Sequence, residues 1–128
     1  MAKIQGFKDL IAWQKAVELA VLVYRLTAEF PAEERFGLAA HARRSAVSIP
    51  SNIAEGFSRT SRPDFARFLE LALGSANELE TQLTLAIRLG FLTPQKAQAC
   101  LGSVTEVQRV TVGLMNSLTK SPTTKVSR

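Results

Sequence analysis

Apolar residues recur at helical three- and four-residue intervals along most of the chain, and the breaks in that recurrence divide it into four segments. The first, Phe7 to Glu29, contains neither Gly nor Pro, offers Asp9 as an amino-terminal cap, and stops before Phe30-Pro31. On a helical wheel its Leu10, Trp13, Val17, Ala20, Val21, Val23, Tyr24 and Leu26 spread over roughly 200°, twice the ~100° of a core-facing stripe. Gln14, Lys15, Glu18, Arg25 and Glu29 form the narrow polar remainder. The excess predicts a second partner surface, a candidate subunit interface; the alternative is a deeply buried helix.

The second segment opens at Pro31, which suits the first turn of a helix, with Glu33 and Glu34 near its positive end, and runs to about Phe57. Its central stretch, HARRSAVSIPSNIAEG, joins Ala39, Ala42, Ala46, Ile49, Ile53, Ala54 and Phe57 on one broad face. His41, Arg44, Ser48, Ser51, Asn52 and Glu55 share the other. Two residues break the pattern. Arg43 points into the apolar arc, and Pro50 removes a backbone hydrogen bond and clashes with the preceding turn, at a cost of roughly 3 kcal/mol. Because apolar residues keep phase on both sides of Pro50, the spacing predicts one continuous, bent helix rather than two, with Ser48, Ser51 and neighbouring side chains satisfying the freed carbonyls.

Gly56 to Ser61 closes that helix, and Ser61 caps a third with Pro63 and Asp64 in its first turn. From about Arg62 to Leu89, the residues Phe65, Phe68, Leu69, Ala72, Ala76, Leu79, Leu83, Ala86 and Ile87 make the cleanest stripe in the chain. Beside it, Gly74 and Ser75 form a small pair that lets another helix approach closely, despite the ~1 kcal/mol penalty of a helical Gly. Thr93-Pro94 starts a fourth helix, whose stripe runs Ala97, Cys100, Leu101, Val104, Val107, Thr111, Leu114, Leu118. Short connections and the lack of a strand candidate predict an all-α, antiparallel up-down four-helix bundle over residues 1–119, with residues 120–128 as a flexible tail.

Composition narrows the function classes. A chain of 128 residues with 46% apolar content is one globular domain, neither disordered nor fibrous. MAKIQGFKDL lacks the features of a signal peptide and no stretch reaches the ~18 apolar residues of a membrane span, so a cytoplasmic protein without a membrane partner is expected. The only cysteine, Cys100, reads as a core thiol, and no cofactor or metal ligand set is recognisable. A net charge of +5 favours an anionic partner where the cations cluster. Arg35, Arg43, Arg44, Arg59, Arg62 and Arg67 crowd the middle of the chain, opposed there by Glu55 and Asp64, while Lys120, Lys125 and Arg128 mark the tail. The plainer alternative is a solvated face and a disordered tail.

Of these, Arg35, Arg44, Arg59 and Arg62 are the candidates for neutralising phosphates of DNA or RNA. No aromatic platform interleaves them in the sequence, so backbone binding is expected rather than base stacking. Ser48, Ser51 and Asn52 read as kink repair and inter-helix hydrogen bonding. Without a phosphate loop, paired carboxylates or a triad, the chain is expected to be no enzyme. The contrary reading rests on Arg35 and His41, whose R-x5-H spacing loosely resembles the motif of helical HEPN-type ribonucleases. A purely structural or protein-binding oligomer is the other alternative. Arg43, unable to lose its charge within an apolar arc, calls for a carboxylate. Glu78, beside Gly74, is the expected partner for an inter-helix ion pair within or between subunits, with Glu80 second.

The stretches FKDLIAWQKAVELA, VYRLTAEFPAEERFGL, ARRSAVSIPSNIAEGFSR and FARFLELALGSANELETQL closely resemble the four-helix-bundle family of proteins encoded in intervening sequences of bacterial 23S ribosomal RNA genes. The resemblance covers about Phe7 to Leu92. It implies a closed five-subunit barrel, and hence a cyclic homo-oligomer. A relative in that family, the accessory protein of diversity-generating retroelements, implies a basic surface that binds nucleic acid. It also implies a reverse transcriptase as partner if the gene lies in a retroelement.

Overall fold

The recurrence of apolar positions becomes four α-helices in the computed structural model, which describes residues 3–119. The expected tail, with Lys120, Lys125 and Arg128, lies outside the described residues. Helix α1 spans Ile11–Thr27, α2 Leu38–Phe57, α3 Arg62–Arg88 and α4 Pro94–Thr119. No strand occurs among the described residues, and none of their helices is long and apolar enough to cross a membrane.

Two helix starts differ from the sequence expectation. Asp9 does not cap α1: its carboxylate accepts the Gln5 and Gly6 N–H groups at 2.8 and 3.3 Å, closing a 3-10 turn over Phe7–Asp9. Leu10, extended at φ −73°, ψ 127°, then breaks the path before α1 begins. Pro31 likewise heads only a short 3-10 turn, Ala32–Glu34. There the Glu34 carboxylate folds forward to accept the Leu38 N–H at 3.0 Å, taking one of the four unpaired donors at the start of α2. Arg35 and Phe36 are therefore presented on a turn instead of a helix face.

Helix α2 passes through Pro50 unbroken, as expected. The repair differs in detail. The carbonyl deprived of its helical donor by Pro50 is that of Ala46, whereas the Ser51 hydroxyl donates to Val47 O at 2.8 Å and Asn52 Nδ2 to Ser48 O at 2.9 Å. Ser48 instead reaches across to α3, its Oγ 2.8 Å from Ser75 Oγ. Helix α3 starts as its sequence predicts, with Ser61 Oγ accepting the Asp64 N–H at 3.2 Å. It ends in a glycine-dependent reversal: Gly90 at φ 80° lets its own N–H reach Ile87 O and that of Phe91 reach Ala86 O.

Each of α1 and α3 packs on both α2 and α4, around Leu19, Val23, Ile49, Ile53, Leu69, Leu79, Leu83, Val104 and Val107. The close approach between α2 and α3 is at Gly56, not Gly74. A β-carbon on Gly56 would lie 2.8 Å from Phe68 Cβ and 2.9 Å from Phe65 Cδ1, whereas one on Gly74 meets nothing within 4 Å. Gly74 faces outward on α3, with Leu71 and Leu85 exposed on the same helix. Cys100 is a buried thiol, and that burial pushes its pKa up to about 11, so it stays protonated at neutral pH.

Helix α1 settles the question of its over-wide apolar arc. Ala12, Ala16, Leu19, Val23 and Leu26 enter the core, whereas Val21 and Tyr24 remain 43% and 45% exposed and Val17 and Ala20 only half-buried. It is not a deeply buried helix within the chain. Those four residues, with Val47 and Pro50 of α2, line an open apolar groove of about 460 Å³.

Candidate nucleic-acid interface

The arginines of the central segment separate into two groups. Arg35, on the turn before α2, and Arg43 and Arg44, on its first turns, line one open cleft of about 930 Å³ between α2 and α3. His41 and Glu78 line it too, and the Ser48–Ser75 hydroxyl pair lies against it. Arg59 and Arg62 sit past the far end of α2, roughly 20 Å away at ~1.5 Å of rise per residue. The four candidate phosphate-binding residues therefore do not converge on one site.

Their surroundings differ as well. Arg35 and Arg44 are exposed, and neither forms an ion pair among the described residues. Arg44 Nη2 donates to His41 Nδ1 at 3.0 Å, because an arginine has no acceptor to offer. Arg59, by contrast, meets Glu55 Oε2 at 2.6 Å and lies 4.7 Å from the Phe68 ring centroid, so much of its charge is already balanced locally. Arg62 is exposed at the first position of α3.

The expected Arg43–Glu78 ion pair does not form within the chain. Arg43 Nε donates to Thr27 Oγ1 at 2.8 Å and Nη2 to Tyr24 O at 3.2 Å, and the guanidinium carbon stands 4.6 Å from the Tyr24 ring centroid. All three contacts lie on the last turns of α1, where the negative end of the helix dipole suits a cation, and Tyr24 O takes the guanidinium in addition to the Ala28 N–H. The guanidinium is thus satisfied by hydrogen bonds and a ring face on the α1 side of α2, while Glu78 is exposed on the α3 side. Glu80, the second choice, accepts from Gln108 of α4 at 3.0 Å.

A further correction concerns aromatic rings. Phe36 is 87% exposed, with the Arg35 guanidinium 5.4 Å from its centroid, Tyr24 lies under Arg43, and Phe68 lies between Arg59 and Arg67. The Arg35-Phe36 and Arg67-Phe68 adjacencies were signals available in the sequence; the Arg43–Tyr24 and Arg59–Phe68 pairings were not, because those rings come from other helices. Among the residues that line the cleft, Gln82 has a side-chain oxygen buried without a hydrogen-bond partner. Lys120, Lys125 and Arg128, with no acidic residue among residues 120–128, supply three of the five excess positive charges. The helical region is therefore only mildly basic, and local clustering at the cleft matters more there than the total.

Residues 8–113 match the family described as 23S rRNA-intervening sequence protein. The chain is also similar to a solved structure from Bacteroides thetaiotaomicron, described as a protein with unknown function from the S23 ribosomal protein family. That likeness has 29% sequence identity and a TM-score of 0.74, and covers 82% of this chain and 98% of the other. No curated protein matches the chain.

Proposed function

The chain belongs to the 23S rRNA-intervening sequence protein family, and from that premise we propose that it is a non-enzymatic scaffold that binds nucleic-acid backbone as a cyclic homo-oligomer. The observation that carries the binding half is the cleft mouth, where Arg35 and Arg44 are exposed and unpaired with any described carboxylate. Guanidinium forks match phosphate oxygens bidentately, and an exposed cation without a carboxylate has no ion pair to give up when a phosphate arrives. Removing both from duplex contact should make the salt dependence of binding shallower by about 0.9 log units per phosphate lost. No binding of DNA or RNA at low salt would leave a structural, protein-binding oligomer as the reading.

The assembly half rests on exposed apolar surface. Helix pairings support an antiparallel up-down bundle as the subunit: Arg43 meets the end of α1, Gly56 meets the start of α3, Gln108 meets Asn77 and Glu80, and Lys96 meets Glu29. Such a subunit covers one side of α1 and leaves the Val17, Ala20, Val21, Tyr24 groove open. A second copy is the natural cover for a contiguous apolar groove of this kind, and a ring repeats the arginine cleft once per subunit. Light scattering is expected to report about five subunits, the count that family resemblance implies. A monodisperse monomer at micromolar concentration removes the oligomer, and a dimer explains the groove without the ring.

A further inference from the structure

We infer that the cleft between α2 and α3 takes an unpaired nucleotide, its base stacked on Phe36, so that the protein prefers single-stranded RNA or DNA to duplex. This deepens the backbone-binding reading and rests on it. Pure backbone binding has no use for an exposed aromatic ring beside its cations, yet Phe36 is 87% exposed at the cleft rim. The ring is also carried on a defined turn: Arg35 N–H reaches Ala32 O at 3.1 Å, Gly37 N–H reaches Glu34 O at 3.0 Å, and Leu38 N–H reaches the Glu34 carboxylate. A platform held in this way has less conformational freedom to lose when a base stacks on it.

The remaining groups match the other parts of a nucleotide. Arg35, 5.4 Å from the ring centroid, and Arg44, on the lining of the same cleft, are exposed cations for the neighbouring phosphates. The Ser48 and Ser75 hydroxyls, bonded to each other at 2.8 Å, and Gln82 add polar groups to the cleft lining, with Ser75 and Gln82 about 10 Å apart along α3. Arg43 is committed to Tyr24 and Thr27 and so forms a fixed wall rather than a phosphate ligand. An open cleft of about 930 Å³ is ample for one nucleotide. In a duplex the bases are paired and stacked on each other, so only an unpaired base can reach the ring.

The test is fluorescence anisotropy of the full chain with end-labelled oligouridine, oligothymidine and a duplex of equal length, at one salt concentration. The single strands are expected to bind more tightly than the duplex. Phe36→Ala should weaken single-strand binding about five- to a hundred-fold, the range typical of removing one stacking platform, and leave duplex binding unchanged. Phe36→Trp should restore it. Equal effects on both forms, no effect, or a preference for duplex would overturn the stacking site while leaving backbone binding intact. Loss of subunits in Phe36→Ala at unchanged affinity would also overturn it, by making Phe36 a subunit contact. Absence of binding to every probe would sink the backbone reading itself.

Discussion

Replacing Gly56 with leucine is expected to lower the unfolding free energy by about 3 kcal/mol or more, and with alanine by about 1 to 2 kcal/mol. Glycine-to-alanine changes inside helices ordinarily stabilise, by up to ~1 kcal/mol, so the sign is the informative part. It reverses here because the new β-carbon would stand 2.8 Å from Phe68 Cβ and 2.9 Å from Phe65 Cδ1. Phe68 Cβ is fixed to the α3 backbone and cannot swing aside, so the helices must separate. Overpacking of that kind costs typically ~1–3 kcal/mol, more than the helix propensity returns. Gly74→Ala makes the control: no atom lies within 4 Å of its β-carbon position, and a gain of about 0.5 to 1 kcal/mol is expected. Urea denaturation at unchanged m-value reads both. A Gly56→Ala protein at least as stable as the parent would contradict the close approach of α2 and α3.

Arg43→Ala is expected to cost about 2 to 3 kcal/mol, against a change within about 0.5 kcal/mol for Glu78→Gln. The first substitution removes two hydrogen bonds from a charged donor to the last turns of α1, together with the stacking on Tyr24. The second removes a charge that is exposed and forms no ion pair among the described residues. Arg43→Lys should recover only part of the loss, since an ammonium reproduces neither the fork nor the planar stack. A large loss in Glu78→Gln at the same protein concentration would show that Glu78 pairs across subunits.

The helices were legible in the sequence because each depends on a long recurrence of apolar positions, which a single misplaced residue does not disturb. The unbroken passage of α2 through Pro50 was readable for the same reason: Ile49 and Ile53 stay in phase across it and both are fully buried. The exposed side of α1 was visible too, since more apolar residues were present than one core face can use. What the sequence hid depends on which neighbour comes close. Gly56 and Gly74 are both small residues in helices, and only the packing of α2 on α3 tells that the first admits Phe68 and the second faces outward. Arg43 has the same character. A helical wheel places it in the apolar arc, but a carboxylate is not the only group that satisfies a guanidinium, and the end of α1 supplied carbonyl, hydroxyl and ring together. Helix starts were hidden by side chains that bond locally, Asp9 to the turn before α1 and Glu34 to the start of α2. The second of these put Arg35 and Phe36 on a turn, which brings an aromatic ring to the candidate site.

The claim that Arg35 and Arg44 hold nucleic-acid backbone is tested most directly by the salt dependence of duplex DNA binding, measured for the parent chain and for Arg35→Ala/Arg44→Ala at matched oligomeric state. The parent should give a log–log slope of about −0.9 for each phosphate neutralised, and the double variant a slope shallower by about 0.9 for every guanidinium removed from the contact. An unchanged slope in the double variant, or no binding of either DNA or RNA by the parent at low salt, would contradict it.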